Sequence, residues 1–331
     1  MEFVMTTAKL VLHFVFRIAC YGLLATSYGY AQEGYPTRPI RILVPFPAGG
    51  AADTIGRTIG QQLSAQMGQT VVVDNRPGAA GRLATEMLAR AEPNGYTLLI
   101  GTPGAISVAP SLYDTLPYDP QRDLLPITLV AEALNVLVVN PSTGVSNVQE
   151  FIVWAKKAKE VRFGSSGIGQ TDHLAAELFK RLTGVRMTHV PYKGGGPALV
   201  DLLAGDLHVM FPTYVVAVPH LQSGKLRALG IATADRKELV PDLPAISETV
   251  PGFGISNWDG IFVPAKTPAR IVDRLFAEIT RAIKHPDLIK RQNAAGLVPV
   301  ASASRADFVK FIQEDRTRWA QLIKEVNIKI D

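Results

Sequence analysis

Two glycine- and serine-rich loops carry the clearest chemistry in the chain. The first, Pro47-Ala48-Gly49-Gly50, follows an apolar run at 40–46. It precedes Ile55, Ile59, Leu63 and Met67, whose four-residue spacing predicts a helix ended by Gly68. The second, Ser165-Ser166-Gly167-Ile168-Gly169-Gln170, follows Val161-Arg162-Phe163-Gly164 and precedes a helix carrying Leu174, Leu178 and Leu182, stopped at Gly184. A loop that turns from strand to helix presents unpaired backbone N–H groups and the positive end of a helix dipole, an arrangement suited to an anion. Two such loops, far apart in sequence, imply a clamp. Hydrogen bonds to a charged group contribute roughly 1.5–3 kcal/mol each. Four or five of them reach the about −8 kcal/mol of a micromolar complex after ordering costs, without a full ion pair.

Three further loops, at 75–81, 101–107 and 191–197, share this composition. None of the five contains paired carboxylates, a metal-ligand cluster or a nucleophile with its base. The first loop lacks the Gly-Lys-Ser/Thr ending of a phosphate-binding loop, and Gly167-Ile168-Gly169 lacks the third glycine of a dinucleotide fingerprint. Ile168 stands where a nucleophile elbow built on Ser166 needs glycine. His173 and Glu177 have metal spacing but no second pair nearby, so His173 reads as a structural residue near a helix start. Asp53, in the first turn of its helix, reads as a partner of the dipole, with acceptance of a ligand amino group as the alternative. Lys193, in Tyr192-Lys193-Gly194-Gly195-Gly196, either pairs with a ligand carboxylate or stays solvated. Phe46 and Tyr192 either wall a cleft or plug the core, and Trp258 reads as hinge packing rather than a stacking platform.

The elements that must position these loops alternate along the chain. Strand-like runs fall at 40–46, 70–74, 97–101, 134–139, 161–164, 188–191, 207–211, 226–231 and 258–263. Helical patterns fall at 51–67, 80–91, 147–159, 171–183, 196–204, 214–222, 268–284 and 304–325. That alternation predicts an α/β protein whose sheets are mostly parallel and covered by helices, with the loops beyond the carboxyl ends of the strands. Asn140-Pro141-Ser142-Thr143-Gly144 and Pro251-Gly252-Phe253-Gly254 read as two hinge crossings. They divide the chain into a first lobe, 32–139 with 255–331, and a second, 140–254. The final helices are expected to pack back onto the N-terminal sheet. At 331 residues, two cores are the default.

Residues 1–31 read as a signal peptide: Lys9 precedes a largely apolar stretch from Leu10 to Ala25, and Gly29-Tyr30-Ala31 supplies small residues for cleavage. Arg17 interrupts the run, which is too short to span a bilayer. The start is Met1 or Met5. Cys20, the only cysteine, lies in this leader, so the mature chain has no thiol for a disulfide, a metal or nucleophilic catalysis. Removing Glu2, Lys9 and Arg17 with the leader lowers the formal charge of +5 by one. Without a clustered basic face, that small excess excludes a nucleic-acid footprint.

Several motifs resemble the Bug/TctC family, the extracytoplasmic substrate-binding proteins of tripartite tricarboxylate transport systems. They are Val44-Pro45-Phe46-Pro47-Ala48-Gly49-Gly50 with Asp53, Asn75-Arg76-Pro77-Gly78-Ala79-Ala80-Gly81, Gly101-Thr102-Pro103-Gly104, Leu116-Pro117-Tyr118-Asp119-Pro120, His189-Val190-Pro191-Tyr192-Lys193-Gly194, Gly196-Pro197-Ala198-Leu199, Asp201-Leu202-Leu203-Ala204-Gly205 and Leu226-Arg227-Ala228-Leu229. The resemblance runs from Tyr35 nearly to the C-terminus. It implies a two-lobed, type II-like periplasmic-binding-protein fold, each lobe a mixed, mostly parallel sheet flanked by helices, that closes over a small carboxylate largely through backbone amides and ordered water. It also implies a polytopic membrane permease as partner. Carried over, the first-lobe site is Phe46, Ala48, Gly49, Gly50 and Asp53, and the second-lobe site is Ser165, Ser166, Gly167, Thr171 and His173. Thr102, Tyr192 and Lys193 complete the candidate set. Two departures, Ala51-Ala52 where many relatives have a small polar residue and Gln170 where a Gly-Thr or Gly-Ser step is common, point to a shifted ligand preference. The expectation is a monomeric periplasmic solute-binding protein with no cofactor or metal. The rivals are a periplasmic hydrolase or isomerase using Lys193 or His173, and a ligand-sensing adaptor for a signalling partner.

Overall fold

The computed structural model describes residues 34–326 and 328. The expected signal peptide and Cys20 lie outside the described residues. The described residues from Arg38 onward form one compact unit. The first lobe opens with β1 (Ile40–Val44), α1 (Ala51–Met67), β2 (Val71–Asn75), α2 (Arg82–Ala89) and β3 (Thr97–Gly101). It continues through a π-helical turn at Gly104–Val108 into α3 (Ala109–Leu112), then β4 (Leu124–Ala133). The second lobe holds β5 (Val136–Val139), α4 (Val148–Lys157), β6 (Arg162–Ser165), α5 (Thr171–Thr183), β7 (Thr188–Pro191), α6 (Gly195–Ala204), β8 (Val209–Met210), α7 (Tyr214–Gln222) and β9 (Arg227–Ile231). The chain then returns to the first lobe with β10 (Trp258–Pro264), α8 (Ala269–Ile283), α9 (Pro286–Ala294), β11 (Leu297–Pro299) and α10 (Arg305–Val326).

Both sheets are mixed. The first has the order β11-β4-β10-β3-β1-β2 and the second β7-β6-β8-β5-β9. Parallel pairing joins β1 to β2 and β3, and β6 to β7 and β8; the remaining pairs are antiparallel. The expected mixed sheets flanked by helices are found, but parallel pairs are not the majority: antiparallel pairs outnumber them five to four among the described residues. Every antiparallel pair involves β4, β5 or β10, the strands that flank the two crossings. β4 was not expected at all, because Pro126 interrupts it and its residues do not alternate. Nor was α9, a short helix opened by Pro286 directly after α8.

The lobe boundary also moves. Val136–Val139, expected in the first lobe, pairs with β8 and β9 in the second sheet, so the first crossing falls at Leu134–Asn135 rather than at 140–144. Phe253 and Ile255 are buried in the second-lobe core, which places the return at 256–257. The two crossings are tied together. Asn257 Nδ2 donates to Asn135 Oδ1 (2.8 Å), the Ala133 N–H to the Asn257 carbonyl (2.9 Å), and the Ala232 N–H to the Asn135 carbonyl (2.8 Å).

The first-lobe core gathers Leu43, Leu99, Trp258, Phe262, Phe308 and Ile312; the second gathers Phe151, Phe163, Phe179, Phe211 and Phe253. As expected, α8 and the start of α10 pack on the first lobe. The far half of α10 does not: Trp319 and Ile323 join the second core. At that junction the buried Asp315 accepts from Trp258 Nε1 (2.8 Å) and Trp319 Nε1 (3.0 Å), satisfying both indoles. The helix therefore straps the two lobes.

Candidate functional site

A cleft of about 400 Å³ lies between the sheets, lined by residues of both lobes. The first turns of α1, α5 and α6 all reach it: Gly50, Ala51 and Ala52; Gln170, Thr171 and Asp172; Gly195 and Gly196. None of these helices has a side-chain hydrogen bond at its N-cap (Gly50, Gln170 and Gly194). First-turn N–H groups of α1 and α6 therefore keep no side-chain acceptor among the described residues, while in α5 the His173 N–H is taken by Asp172; three helix dipoles present their positive ends to one space. Leu199, Val200 and Leu203 of α6 and Val215, Val216 and Pro219 of α7 add an apolar part to the lining.

The first loop is held in shape by Asp53. Its carboxylate accepts from the Gly49 N–H (2.9 Å), Arg57 Nε (2.9 Å) and Asn75 Nδ2 (3.0 Å), while Asn75 Nδ2 also donates to the Phe46 carbonyl (3.0 Å). Burial pushes the Asp53 carboxyl up, but the hydrogen bonds from Arg57, Gly49 and Asn75 outweigh it and hold it below its ordinary value. Gly49 sits at φ +86°, where a side chain would be strained. Asp53 does not itself line the cleft; its bonds are spent on the loop.

The second loop is built the same way by Asp172, which accepts from the Ser166 N–H (2.6 Å), Ser166 Oγ (2.9 Å) and the His173 N–H (2.9 Å). Burial raises its carboxyl to about 6 against those bonds. Behind it, His173 and His189 stack with centroids 4.1 Å apart and His189 lies 4.7 Å from Phe163. Ser165 Oγ lies 2.6 Å from His189 Nε2, and His173 Nδ1 accepts the Gly169 N–H (3.2 Å). Burial, then the neighbouring His189 and Lys180, lowers His173 to about 3; burial and Lys180 lower His189 to about 4. Both rings are neutral packing groups at ordinary pH.

The candidates thus divide. Phe46, Ala48, Gly49, Gly50, Thr102, Ser166 and Thr171 line the cleft. Asp53, Ser165, Gly167, His173, Tyr192 and Lys193 do not. Tyr192 donates its hydroxyl to Asp201 and packs on the second-lobe core, and Lys193 is exposed. Trp258 is fully buried among Phe262, Phe308 and Phe311. Sequence reading missed the crossing residues Asn135 and Asn257, the acids Asp172 and Asp259, and the α7 wall with His220. Asp172 was legible in principle, as an acid in a first turn just as Asp53 is; the others enter the cleft only through the tertiary fold.

The lobes touch around the cleft. Gln170 Nε2 donates to the Ala80 carbonyl (2.7 Å), and a Cβ on Gly104 would lie 2.1 Å from that nitrogen, so only glycine admits the Gln170 side chain there. Ala79 and Ala80 hold φ of 47° and 53°, a left-handed conformation costing roughly 1–2 kcal/mol per residue, which turns the Ala80 carbonyl toward the other lobe.

Residues 55–328 match the family described as "Tripartite tricarboxylate transporter family receptor", TctC. Protein BugT of Bordetella pertussis is 34% identical over 320 residues, covering 95% of this chain and 98% of that protein. Among solved structures, R. palustris Rpa4515 with adipate is 35% identical with a TM-score of 0.86, over 89% of this chain and 99% of that one. MatC from Rhodopseudomonas palustris with bound malate is 32% identical with a TM-score of 0.81, over 87% and 100%. The two mixed sheets with their helices are the fold of these binding proteins, and the chain belongs to the tripartite tricarboxylate transporter receptor family.

Proposed function

We propose that the protein is a monomeric periplasmic solute-binding protein that captures a small carboxylate anion by closure of its two lobes and delivers it to a polytopic membrane permease. The observation that supports capture most strongly is the convergence of three uncapped helix N-termini, from both lobes, on one cleft. Because α1 lies in one lobe and α5 and α6 in the other, the full donor set exists only when the lobes approach, which couples binding to closure. The relatives solved with adipate and malate favour a carboxylate, and membership of a transporter receptor family favours a permease as recipient. A periplasmic location agrees with the leader read from the sequence.

The rival enzyme drew on Lys193 or His173 as base. Neither side chain lines the cleft, and His173 is held in a ring stack, so the geometry supports binding over turnover. A ligand-sensing adaptor would share fold and site and differ only in its recipient.

Native mass spectrometry of freshly purified protein, followed by thermal unfolding with a panel of small carboxylates, tests the proposal. A ligand at 100 times its Kd should add about 2.7 kcal/mol of stability. Gly50→Val should remove that gain without unfolding the protein, because a Cβ at Gly50 meets only the Pro47 carbonyl, at 3.7 Å, and its branches enter the cleft. Full ligand stabilisation in Gly50→Val would overturn the site.

A further inference from the structure

Two polar side chains that line the cleft, those of Asp259 and Thr102, lack partners among the described residues. Asp259, on β10, is 2% exposed and lines the cleft, with no hydrogen bond or ion pair among the described residues. The hydroxyl of Thr102, 5% exposed and also lining the cleft, is likewise buried without a hydrogen-bond partner. The pairing of β3 with β10 sets Ile100 opposite Ile261 and ends with Gly101 opposite Gly260, so Thr102 and Asp259 each lie one residue beyond that last pair, at the same end of the ladder. The β10–β4 register also shifts between Asp259 and Gly260, where Val130 of β4 is the extra residue, an irregularity common beside binding sites. No Lys or Arg lines the cleft among the described residues; the titratable side chains there are Asp172, Asp259 and His220. Asp172 is satisfied by Ser166 and His173, whereas Asp259 is not. An unpartnered buried carboxylate is costly in an apoprotein and is retained where a ligand completes it.

We propose that Asp259, together with the Thr102 hydroxyl, is the counter-ion for a cationic nitrogen of the ligand, so that the cleft selects a small acid that also carries an ammonium group. This rests on the reading of the cleft as a carboxylate-capture site. The helix N-termini hold the ligand's carboxylate, and the ammonium donates to Asp259 and to Thr102 Oγ1. A second carboxylate on the ligand would instead meet Asp259 as a like charge. A hydroxyl would donate one hydrogen bond and leave the buried charge unbalanced.

Titration calorimetry with matched probes decides the matter: 4-aminobutyrate against succinate, and L-glutamate and 5-aminopentanoate against glutarate, each with wild type, Asp259→Asn and Thr102→Val. At least one amino compound should bind wild type roughly 10- to 100-fold more tightly than its diacid, the range of one hydrogen-bonded charge. Asp259→Asn should erase that preference, and Thr102→Val should weaken the same compound several-fold. A wild-type preference for the diacids, or an amino preference that survives Asp259→Asn, overturns the counter-ion while leaving carboxylate capture standing. Failure of every probe and of the wider carboxylate panel overturns both. The wild-type comparison stands even if a variant does not fold.

Discussion

Asp53 and Asp172 occupy equivalent places, each near the start of a cleft-forming helix, yet their environments set them apart from Asp259. Three hydrogen bonds satisfy each of the first two, and those bonds shape the loops. Asp259 has burial and nothing to offset it, which raises its carboxyl to about 7. The folded protein therefore holds that proton more tightly than the unfolded chain. The stabilisation is complete below the ordinary aspartate value of 3.8 and is lost as pH rises to about 7. Asp259→Asn cannot ionise, so the unliganded variant should resist urea better than wild type at about pH 8. The gap should shrink toward about pH 5, with each pKa unit worth about 1.4 kcal/mol. Urea titrations at several pH values check this, and superimposable curves at every pH would refute it.

At the scale of elements, α1 and α5 were legible because their signals are local: a glycine-rich turn, an apolar stripe and a terminating glycine within one stretch of chain. The observed α1 at Ala51–Met67 and α5 at Thr171–Thr183 have the bounds their stripes predicted. β4 was not legible, since a strand buried on both faces loses its alternation and Pro126 mimics a break. The floor of the cleft was hidden for a related reason. Asn135 meets Asn257, and Thr102 and Asp259 come to line one cleft, only after β10 inserts between β3 and β4. The Asp53 clamp makes a prediction at this scale. Asp53→Ala frees the Gly49 N–H, Arg57 and Asn75 together, so the loop before α1 should loosen. Ligand affinity should fall about tenfold, and stability by roughly 1–3 kcal/mol. Calorimetry and urea unfolding read the two effects; unchanged affinity with reduced stability would show that the loop does not position the ligand.

For the whole molecule, closure depends on how two cores joined by two crossings and one strapping helix come together. Trp319 and Ile323 anchor the far half of α10 in the second core, while Phe308 and Ile312 anchor its near half in the first. That strap and the paired asparagines tie the lobes at two places, and the Gln170 side chain, which lines the cleft, adds a third tie to the Ala80 carbonyl. Gln170→Ala should remove about 1 kcal/mol from the closed state and weaken ligand binding roughly fivefold through faster release. Stopped-flow dissociation measures it, and an unchanged release rate would mean that the bridge does not hold the lobes together.

The central claim is that amides from opposed helix N-termini, rather than a charged side chain, grip the carboxylate. A crystal structure of the protein with a bound small carboxylate tests this most directly. The carboxylate oxygens should lie about 2.7–3.1 Å from first-turn N–H groups of α1 on one side and of α5 or α6 on the other. A ligand held by one lobe alone, or bound outside the cleft, would contradict the account.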